Sequence, residues 1–159
     1  MRPSDILDHR PGDWTTSMKI RLATPQDAQG ISRVASALGY LPHDDDALIL
    51  QRLEHLLASR HDRIWVAEQA DEVIGWLHAQ HVFRVASADF IEILGLSVAQ
   101  EAQRQGAGRA LARQAIAWAT DEALTLRVRT HEARDIARKF YAACGFTLAK
   151  TQCVFQMTT

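Results

Sequence analysis

The sequence has few cysteines and no surplus of charge of either sign. Its 159 residues include two cysteines, Cys144 and Cys153, and neither has the spacing to a second Cys or His that a metal site requires. Without a secretory signal, we expect both to be reduced thiols in a cytoplasmic protein. The 18 basic and 19 acidic side chains nearly cancel, which argues against a protein dedicated to nucleic acid or to anionic membranes.

Long hydrophobic runs are missing as well. No apolar stretch approaches the roughly 18 residues that a membrane span needs, so we expect no membrane partner. Residues 1–17 carry Pro3, Pro11 and Gly12 among several charges and lack an apolar segment, which predicts a flexible leader rather than a signal peptide. A hydrophobic content of 47% is ample for a packed core, and we expect one domain over residues 18–159.

The most informative segment is an apolar strand that leads through a glycine-containing turn into a helix. The strand ends with Leu96-Ser97-Val98, the turn reads Gln103-Arg104-Gln105-Gly106-Ala107-Gly108, and a helical run begins at Arg109. Such a turn presents free backbone N–H groups and the positive end of a helix dipole to an anion. The pattern therefore predicts a phosphate or pyrophosphate at residues 103–109.

The spacing of this turn argues against two common nucleotide sites. No Lys follows Gly108, as a phosphate loop of the form Gly-x-x-x-x-Gly-Lys-Ser/Thr would require. A dinucleotide fingerprint needs three glycines at the first strand of the fold, whereas this turn has two and lies late in the chain. The segment instead resembles the acyl-CoA motif of the GNAT superfamily of N-acetyltransferases, Gln/Arg-x-x-Gly-x-Gly/Ala. Gln103, Gly106 and Gly108 stand at its fixed positions.

Residues 134–146 are similar to the second hallmark of the same family, Asn-x-x-Ala-x-x-Phe/Leu-Tyr-x-x-x-Gly-Phe. The matching positions are Ala137, Phe140, Tyr141, Gly145 and Phe146. Arg134 stands where the family has the Asn that usually contacts the cofactor, and it is a candidate either for a phosphate contact or for capping the helix. The two motifs occur in the family's order and at its separation, and the resemblance covers residues 18–157.

The periodicity of apolar residues predicts a mixed β-sheet flanked by helices, in the GNAT-like order β-α-α-β-β-β-α-β-α-β. Strands are predicted over residues 18–23, Arg63–Glu68, Val73–His81, 89–98, Leu124–Val128 and Phe146–Gln156. Helices are predicted from Thr24 to about Gly39, after the acids at 44–46, over about 106–120 and over Arg134–Ala143. The second and third strands form a hairpin, and the strand–helix–strand units of the second half imply parallel pairing. Gly95 within the fourth strand indicates a bulge or a close backbone approach.

The resemblance implies that acetyl-CoA is the cosubstrate and that the glycine turn holds its pyrophosphate. The residues implied in cofactor binding are Leu96, Ser97, Val98, Gln103, Arg104, Gln105, Gly106, Ala107, Gly108, Arg109 and Arg134. In GNAT enzymes the strand before the turn pairs with the pantetheine arm through backbone groups, which here belong to Leu96 and Val98. One N–H of that strand faces the thioester carbonyl as an oxyanion donor.

Tyr141 and Glu92 are the catalytic candidates. In many family members the Tyr that matches Tyr141 protonates the departing thiolate, and a thiol pKa near 8.5 suits a phenol as general acid. Glu92 is an acid within an apolar strand, and a Glu at the matching place is the general base of GNAT histone acetyltransferases. The structural alternatives are a tyrosine packed in the core and a glutamate that faces solvent.

The resemblance thus implies an N-acetyltransferase that moves an acetyl group from acetyl-CoA directly to a primary amine of a small molecule. Transfer to a protein lysine or N-terminus, a CoA-binding module without catalysis, and a phosphate-binding regulatory domain stay open as alternatives. Tyr40, Leu41 and His43 are candidates for acceptor contact, because the family's acceptor site lies beside this region. Homodimers are common in the family, so a homodimer is a further expectation.

Overall fold

The structure is a computed structural model that describes residues 17–37 and 46–159. Its five strands are β1 (Lys19–Leu22), β2 (Asp62–Gln69), β3 (Glu72–Val82), β4 (Phe90–Val98) and β5 (Leu126–Val128). Its four helices are α1 (Ala28–Ala37), α2 (Asp46–Ala58), α3 (Ala107–Asp121) and α4 (Asp135–Ala143). Short 3₁₀ turns precede α1 at Pro25–Asp27 and α3 at Gln100–Ala102.

The strands form one mixed sheet in the order β1-β2-β3-β4-β5. The first three neighbouring pairs are antiparallel and the β4–β5 pair is parallel, which confirms the predicted fold class. The hairpin between β2 and β3 turns at Ala70 and Asp71, whose φ angles are 51° and 60°. Two consecutive positive φ angles are typical of the tight two-residue turn that matches the twist of paired strands.

Helices cover both faces of the sheet. Trp118 of α3 meets Trp65 of β2 edge to face, and Leu111 of α3 packs at Gly75 of β3, so α3 covers one face. The alternate residues of β2, such as Val66, are also fully buried. Because side chains alternate across a strand, α1 and α2 must cover the second face. The sheet is therefore the middle of three layers. Because helices cover both faces, a site is expected at the ends of the strands.

The first helical segment begins after Thr24, as the sequence predicts. The backbone N–H of Thr24 donates to the carboxylate of Asp27 at 2.8 Å, and Pro25 occupies the first turn. Both oxygens of Asp27 also accept hydrogen bonds from Arg21 of β1, at 2.7 and 2.8 Å. The buried Asp27 therefore ties the edge strand β1 to the beginning of α1.

Gly95 lies at a β-bulge and also makes a close backbone contact, the two features that a glycine within a strand predicts. The β3–β4 register skips a residue here, because His78 pairs with Gly95 and Ala79 with Ile93, which leaves Leu94 as an extra residue on β4. A Cβ on Gly95 would lie 2.8 Å from the ring of Trp76, so the backbone and the indole touch. Only glycine fits this close approach without moving Trp76.

The predicted sixth strand over Phe146–Gln156 is absent from the structure. Residues 147–159 are exposed and form no ladder, and β5 itself has only three residues. A cavity of about 1130 Å³ is lined by residues of β5, α3 and α4 together with residues 147–150 and Gln152. The alternating apolar pattern of this segment does not by itself produce a strand, because a strand also needs a partner within hydrogen-bonding distance.

Some predictions concern residues outside the described ranges. The leader at 1–17 is described only at Ser17, and the helix end near Gly39 and the acceptor candidates Tyr40, Leu41 and His43 lie in the gap at 38–45. Within the described ranges, no helix has the length and apolar character needed to cross a membrane.

Candidate active site

The turn before α3 has the backbone geometry of an anion cradle. Gly106 caps the helix with φ +84°, and Arg104 has φ +68°, so the chain twice enters the left-handed region within three residues. The first hydrogen bond of the helix runs from the N–H of Ala110 to the carbonyl of Gly106, at 2.9 Å. The amides that precede Ala110 in the first turn are not used within the helix, and no side chain caps them. A Cβ on Gly106 would have no atom within 4 Å, so the space beside these amides is open.

The side chains of the turn fold back on their own chain. Gln103 donates from Nε2 to the carbonyl of Val98 at 3.5 Å, and Gln105 donates to the carbonyl of Glu101 at 3.4 Å. Ala107 is fully buried beneath the turn, whereas residues 103–106 are exposed. The groups that the turn offers to a ligand are therefore mainly backbone amides.

Arg109 connects the turn to α4. Its Nη2 donates to the carbonyl of Ala143 at 2.7 Å, at the C-terminal end of α4, where a cation is favoured by the helix dipole. Gly108 lies against the same helix, because a Cβ there would be 3.2 Å from the ring of Phe140 and 3.6 Å from Val98. The two family-like motifs thus meet at Gly108, with the end of β4 beneath them.

β4 and the edge strand β5 separate partway along β4. Their last parallel pair is Ile93 with Val128, whereas β4 continues to Val98 and stays paired with β3 on its other side. In the described chain, Leu96 and Val98 therefore face no strand on the β5 side. This open edge is suited to an extended ligand that pairs like an added strand.

Two buried polar atoms on neighbouring residues of β3 and β4 have no hydrogen-bond partner in the described chain. They are the Nε1 of Trp76 and the Oγ of Ser97, and Ser97 is 4% exposed. Trp76 and Ser97 are direct register partners. Unpaired buried polar groups are uncommon in proteins and call for a physical reason, and Ser97 belongs to the part of β4 whose other edge is open.

Glu92 is held by arginines at the end of β5, Arg127 within the strand and Arg129 directly after it. It is 3% exposed and pairs in register with Arg127, and both carboxylate oxygens accept from Arg129, with Nε–Oε1 at 2.7 Å and Nη2–Oε2 at 3.2 Å. Glu92 also shares a face with Gln80, its register partner on β3, and with Asp62, which bonds to Gln80. This is the face turned away from α3. Glu92 is thus a buried, charge-paired acid and not the solvent-facing glutamate of the structural alternative.

Tyr141 lies on α4 between two aromatic rings. Its ring meets Phe140 at 5.1 Å and Phe146 at 5.5 Å, both edge to face, and it lines the 1130 Å³ cavity along β5. The backbone carbonyl of Tyr141 accepts from the N–H of Phe146 at 3.0 Å. The tyrosine is half-buried, which leaves room for both the catalytic and the packing interpretation of its ring.

Arg134 and Cys144 lie at the two ends of α4. Arg134 is the N-terminal cap residue, and its carbonyl accepts the first helical hydrogen bond from Arg138 at 3.1 Å. Burial raises the pKa of the Cys144 thiol, against the opposing charges of Arg109 and Arg113. A raised pKa leaves less of the reactive thiolate near neutral pH, which suits the interpretation of Cys144 as an apolar filler.

The structure brings most of the predicted site residues to adjoining elements. The end of β4, the glycine turn and α4 meet at Gly108, and Tyr141 follows the Phe140 that touches it. The cavity that Tyr141 lines, however, includes none of residues 103–109. Sequence reasoning missed Arg127, Arg129 and Trp76. Their place at the site depends on the register of β3 and β5 against β4, and no pattern in the sequence indicates that register.

Comparisons with known proteins agree on one family. The sequence model described as the acetyltransferase (GNAT) family matches residues 31–146. No match is found among curated proteins.

Similar solved structures include two aminoglycoside acetyltransferases. One is the aminoglycoside antibiotic 6'-N-acetyltransferase AAC(6')-IG from Acinetobacter haemolyticus, at 20% identity and TM-score 0.75, over 89% of this chain and 99% of that one. Another is AAC(6')-Iy in complex with the bisubstrate analog CoA-S-monomethyl-acetylneamine, at 19% identity and TM-score 0.77, over 90% and 99%. A transcriptional regulator from Bacillus halodurans C-125 is equally similar, at 19% identity and TM-score 0.79, over 89% and 100%. At such identities the likeness concerns the fold.

Proposed function

The chain belongs to the GNAT family of acetyltransferases, and on that premise we propose that it moves an acetyl group from acetyl-CoA to a primary amine of a small molecule. The observation that carries the proposal is the open edge of β4 beyond Ile93, which leads directly to the uncapped first turn of α3. The open edge of β4 suits an extended arm, and the first turn of α3 suits a pyrophosphate. A CoA thioester contains both groups.

The residues present fit acetyl-CoA. The first-turn amides of α3, with open space at Gly106, would hold the pyrophosphate, with Gln103, Arg104, Gln105, Ala107, Gly108 and Arg109 around it. Arg134 lies at the opposite end of α4 from the Ala143 that Arg109 contacts, so it would meet another part of the cofactor. Leu96 and Val98 would bind the pantetheine arm through their backbone, and the unpaired Oγ of Ser97 is a polar group beside it. When bound, acetyl-CoA supplies an activated acetyl group as its thioester.

Two side chains move the protons in this proposal. Glu92 takes a proton from the acceptor amine, so that the nitrogen lone pair is free to form the new N–C bond. Tyr141 gives its phenolic proton to the sulfur as the C–S bond breaks. Two N–H groups of Arg129 occupy part of the roughly four lone-pair sites of the Glu92 carboxylate, so the carboxylate keeps capacity to accept a proton.

A small-molecule acceptor is favoured by what the similar structures act on. AAC(6')-IG and AAC(6')-Iy are both aminoglycoside acetyltransferases, which modify amines of small molecules. Transfer to a protein lysine or N-terminus and a non-catalytic CoA-binding module are the alternatives that the same fold permits. The free Cys144 and Cys153 agree with a cytoplasmic location, and a homodimer is a further part of the proposal.

Titration calorimetry with acetyl-CoA, CoA and ATP tests the proposal directly. We expect acetyl-CoA to bind in the micromolar range and ATP much more weakly, because ATP lacks the arm that β4 would pair with. Thiol release with a library of primary amines then tests transfer. Absence of acetyl-CoA binding would remove the acetyltransferase proposal, and binding without release for any amine would favour the non-catalytic module.

A further inference from the structure

Three guanidinium groups surround one carboxylate and one ring on the face of the sheet turned away from α3. The guanidinium of Arg127 lies 3.9 Å from the centre of the Phe90 ring, and that of Arg84 lies 4.8 Å from it. The Nε of Arg127 is also 3.9 Å from Oε1 of Glu92, which already binds Arg129. Asp62 lies on the same face, but it bonds to Gln80 and His78. Two carboxylates against three guanidiniums still leave a surplus of positive charge at this place.

This charge lies away from the turn proposed for the CoA phosphates. From Glu92 to Val98 the strand spans about 20 Å at the usual rise per residue, and the glycine turn lies beyond Val98. The arginines are therefore too remote to be needed for the pyrophosphate. They lie instead at the last pairs of β4 and β5, just before the strands separate.

Positive charge also predominates in the lining of the cavity along β5. Its charged lining consists of five basic side chains and one acid, namely Arg127, Arg129, Arg138, Lys139, Lys150 and Asp135. A lining of this kind raises the local concentration of anions and opposes the approach of a polycation.

Arg129 has the geometry to bind a second anion. Its side chain is 63% exposed, and Glu92 uses two of its five N–H donors. Among the described residues, Glu92 is its hydrogen-bond partner, and this pairing fixes the plane of the guanidinium. The remaining donors form the fork that recognises a carboxylate or a phosphate through two parallel hydrogen bonds.

We propose that the acceptor amine carries an anionic group, a carboxylate or a phosphate, and that Arg129 and Arg127 bind it. The inference rests on the proposed acetyltransferase function and concerns the acceptor side of that site. An arginine shared between Glu92 and the anion of the acceptor holds the amine end of the same molecule near the Glu92 carboxylate. The acceptor would thus differ in charge from the polyamine sisomicin, which a structurally similar acetyltransferase binds.

Matched pairs of amines test this inference by thiol release in the presence of acetyl-CoA. L-amino acids are compared with their C-terminal amides, and 2-aminoethyl phosphate with ethanolamine, while sisomicin serves as the polycation. We expect at least tenfold higher kcat/KM for the anionic member of the productive pair. The amino-acid pairs report a carboxylate and the ethanolamine pair a phosphate.

Two variants assign the preference to these arginines. Arg127→Gln leaves the Glu92–Arg129 pair intact, and Arg129→Gln removes it, so the first is the safer variant for folding. We expect Arg127→Gln to raise KM for the anionic acceptor at least tenfold while KM for its neutral partner changes little. Arg129→Gln should raise the same KM and, because it leaves Glu92 without its partner, should also lower kcat for both amines. Arg52→Gln, which removes an exposed charge of α2, is the matched control and should change neither.

Three results would overturn the inference: neutral amines or sisomicin acetylated as well as the anions, an unchanged preference in folded Arg127→Gln, or acetyl-CoA binding without release for any anionic amine. The failure of the proposed function is separate, because it appears as absence of acetyl-CoA binding in the calorimeter or as absence of thiol release with every amine, including the neutral amines and sisomicin. Thermal melting of each variant establishes that it is folded before kinetics are compared.

Discussion

At the scale of single residues, the two proposed catalytic side chains are packed against neighbours. The ring of Tyr141 has aromatic neighbours on both sides, and Glu92 is buried with both oxygens bound. The Tyr141 ring and the Glu92 carboxylate are thus held in place, which suits the proton-moving roles proposed for them. Each role can be tested by a change that removes the proton-moving group and keeps the shape.

Tyr141→Phe removes only the phenolic hydroxyl. We expect kcat to fall about 100-fold, in the range typical of losing a general acid, because the leaving sulfur then has no proton donor. The affinity for CoA, measured by calorimetry, should stay within about twofold because the ring packing is kept. An unchanged kcat would exclude Tyr141 from the mechanism.

Glu92→Gln keeps the side-chain volume and removes the base. We expect kcat to fall about 100-fold, in the range typical of losing a general base, because the acceptor amine then has no side chain to take its proton. The measurement is kcat at saturating acetyl-CoA and amine, with calorimetry of CoA binding to establish that the cofactor site is intact. An unchanged kcat would mean that another group or a water chain accepts the proton.

At the scale of elements, the junction of β4, α3 and α4 creates the proposed cofactor site. α3 begins at a glycine with φ +84°, and α4 ends beside Gly145 with φ +97°. Both positions are open, because a Cβ on either glycine would meet no atom within 4 Å. Both glycines adopt the left-handed conformation, which is unfavourable for other residues. Only Gly106, however, lies beside the uncapped amides of α3.

Gly106→Ala is therefore expected to act on binding beyond its effect on stability. The left-handed conformation should cost about 1 kcal/mol in unfolding free energy for alanine, measured by urea denaturation. Acetyl-CoA affinity should fall at least tenfold, because the methyl group enters the space proposed for the pyrophosphate. Gly145→Ala is the matched control and should lose similar stability with unchanged affinity. Equal affinities in the two variants would contradict a pyrophosphate at this turn.

At the scale of the whole molecule, charge pairs join elements that are distant in the chain. Arg21 of β1 donates to Asp27 before α1 and, at 2.6 Å, to Glu68 of β2. Burial alone would raise the pKa of the Asp27 carboxyl, but hydrogen bonds from Arg21 and from the backbone N–H of Thr24 outweigh it and lower that pKa below its ordinary value of 3.8. The charged form of Asp27 is thus the one that the fold stabilises.

Asp27→Asn should therefore change how stability depends on pH. A lowered folded-state pKa contributes stability above the unfolded pKa, and the contribution is lost as pH falls through the folded value. At pH 7 we expect the variant to lose about 2 kcal/mol of unfolding free energy, because the bonds to a charged acceptor are weakened. The difference from the wild type should shrink in urea titrations between about pH 5 and about pH 2. Glu54→Gln, an exposed acid on α2, should show no such convergence.

Fold class and family could be predicted because their signals are local. Apolar periodicity marks the elements, and the turn of Gln103, Gly106 and Gly108 keeps its spacing along the chain whatever the rest of the molecule does. The close approach at Gly95 was also predictable, since a glycine within a strand commonly marks a bulge or a tight backbone contact. The final strand at 146–156 was predicted and is absent, because its apolar alternation says nothing about a partner within reach.

The surroundings of the candidate side chains were decided by tertiary structure alone. Glu92 meets Arg129 across 37 positions of sequence, and Trp76 faces Ser97 through the β3–β4 register. One residue of bulge at Leu94 sets which side chains of β4 share a face, and a one-residue shift would reverse that set. The sequence by itself therefore determined the kind of fold and the turn proposed to hold the cofactor. The charge proposed to face the acceptor follows from strand register, a long-range property that no local pattern encodes.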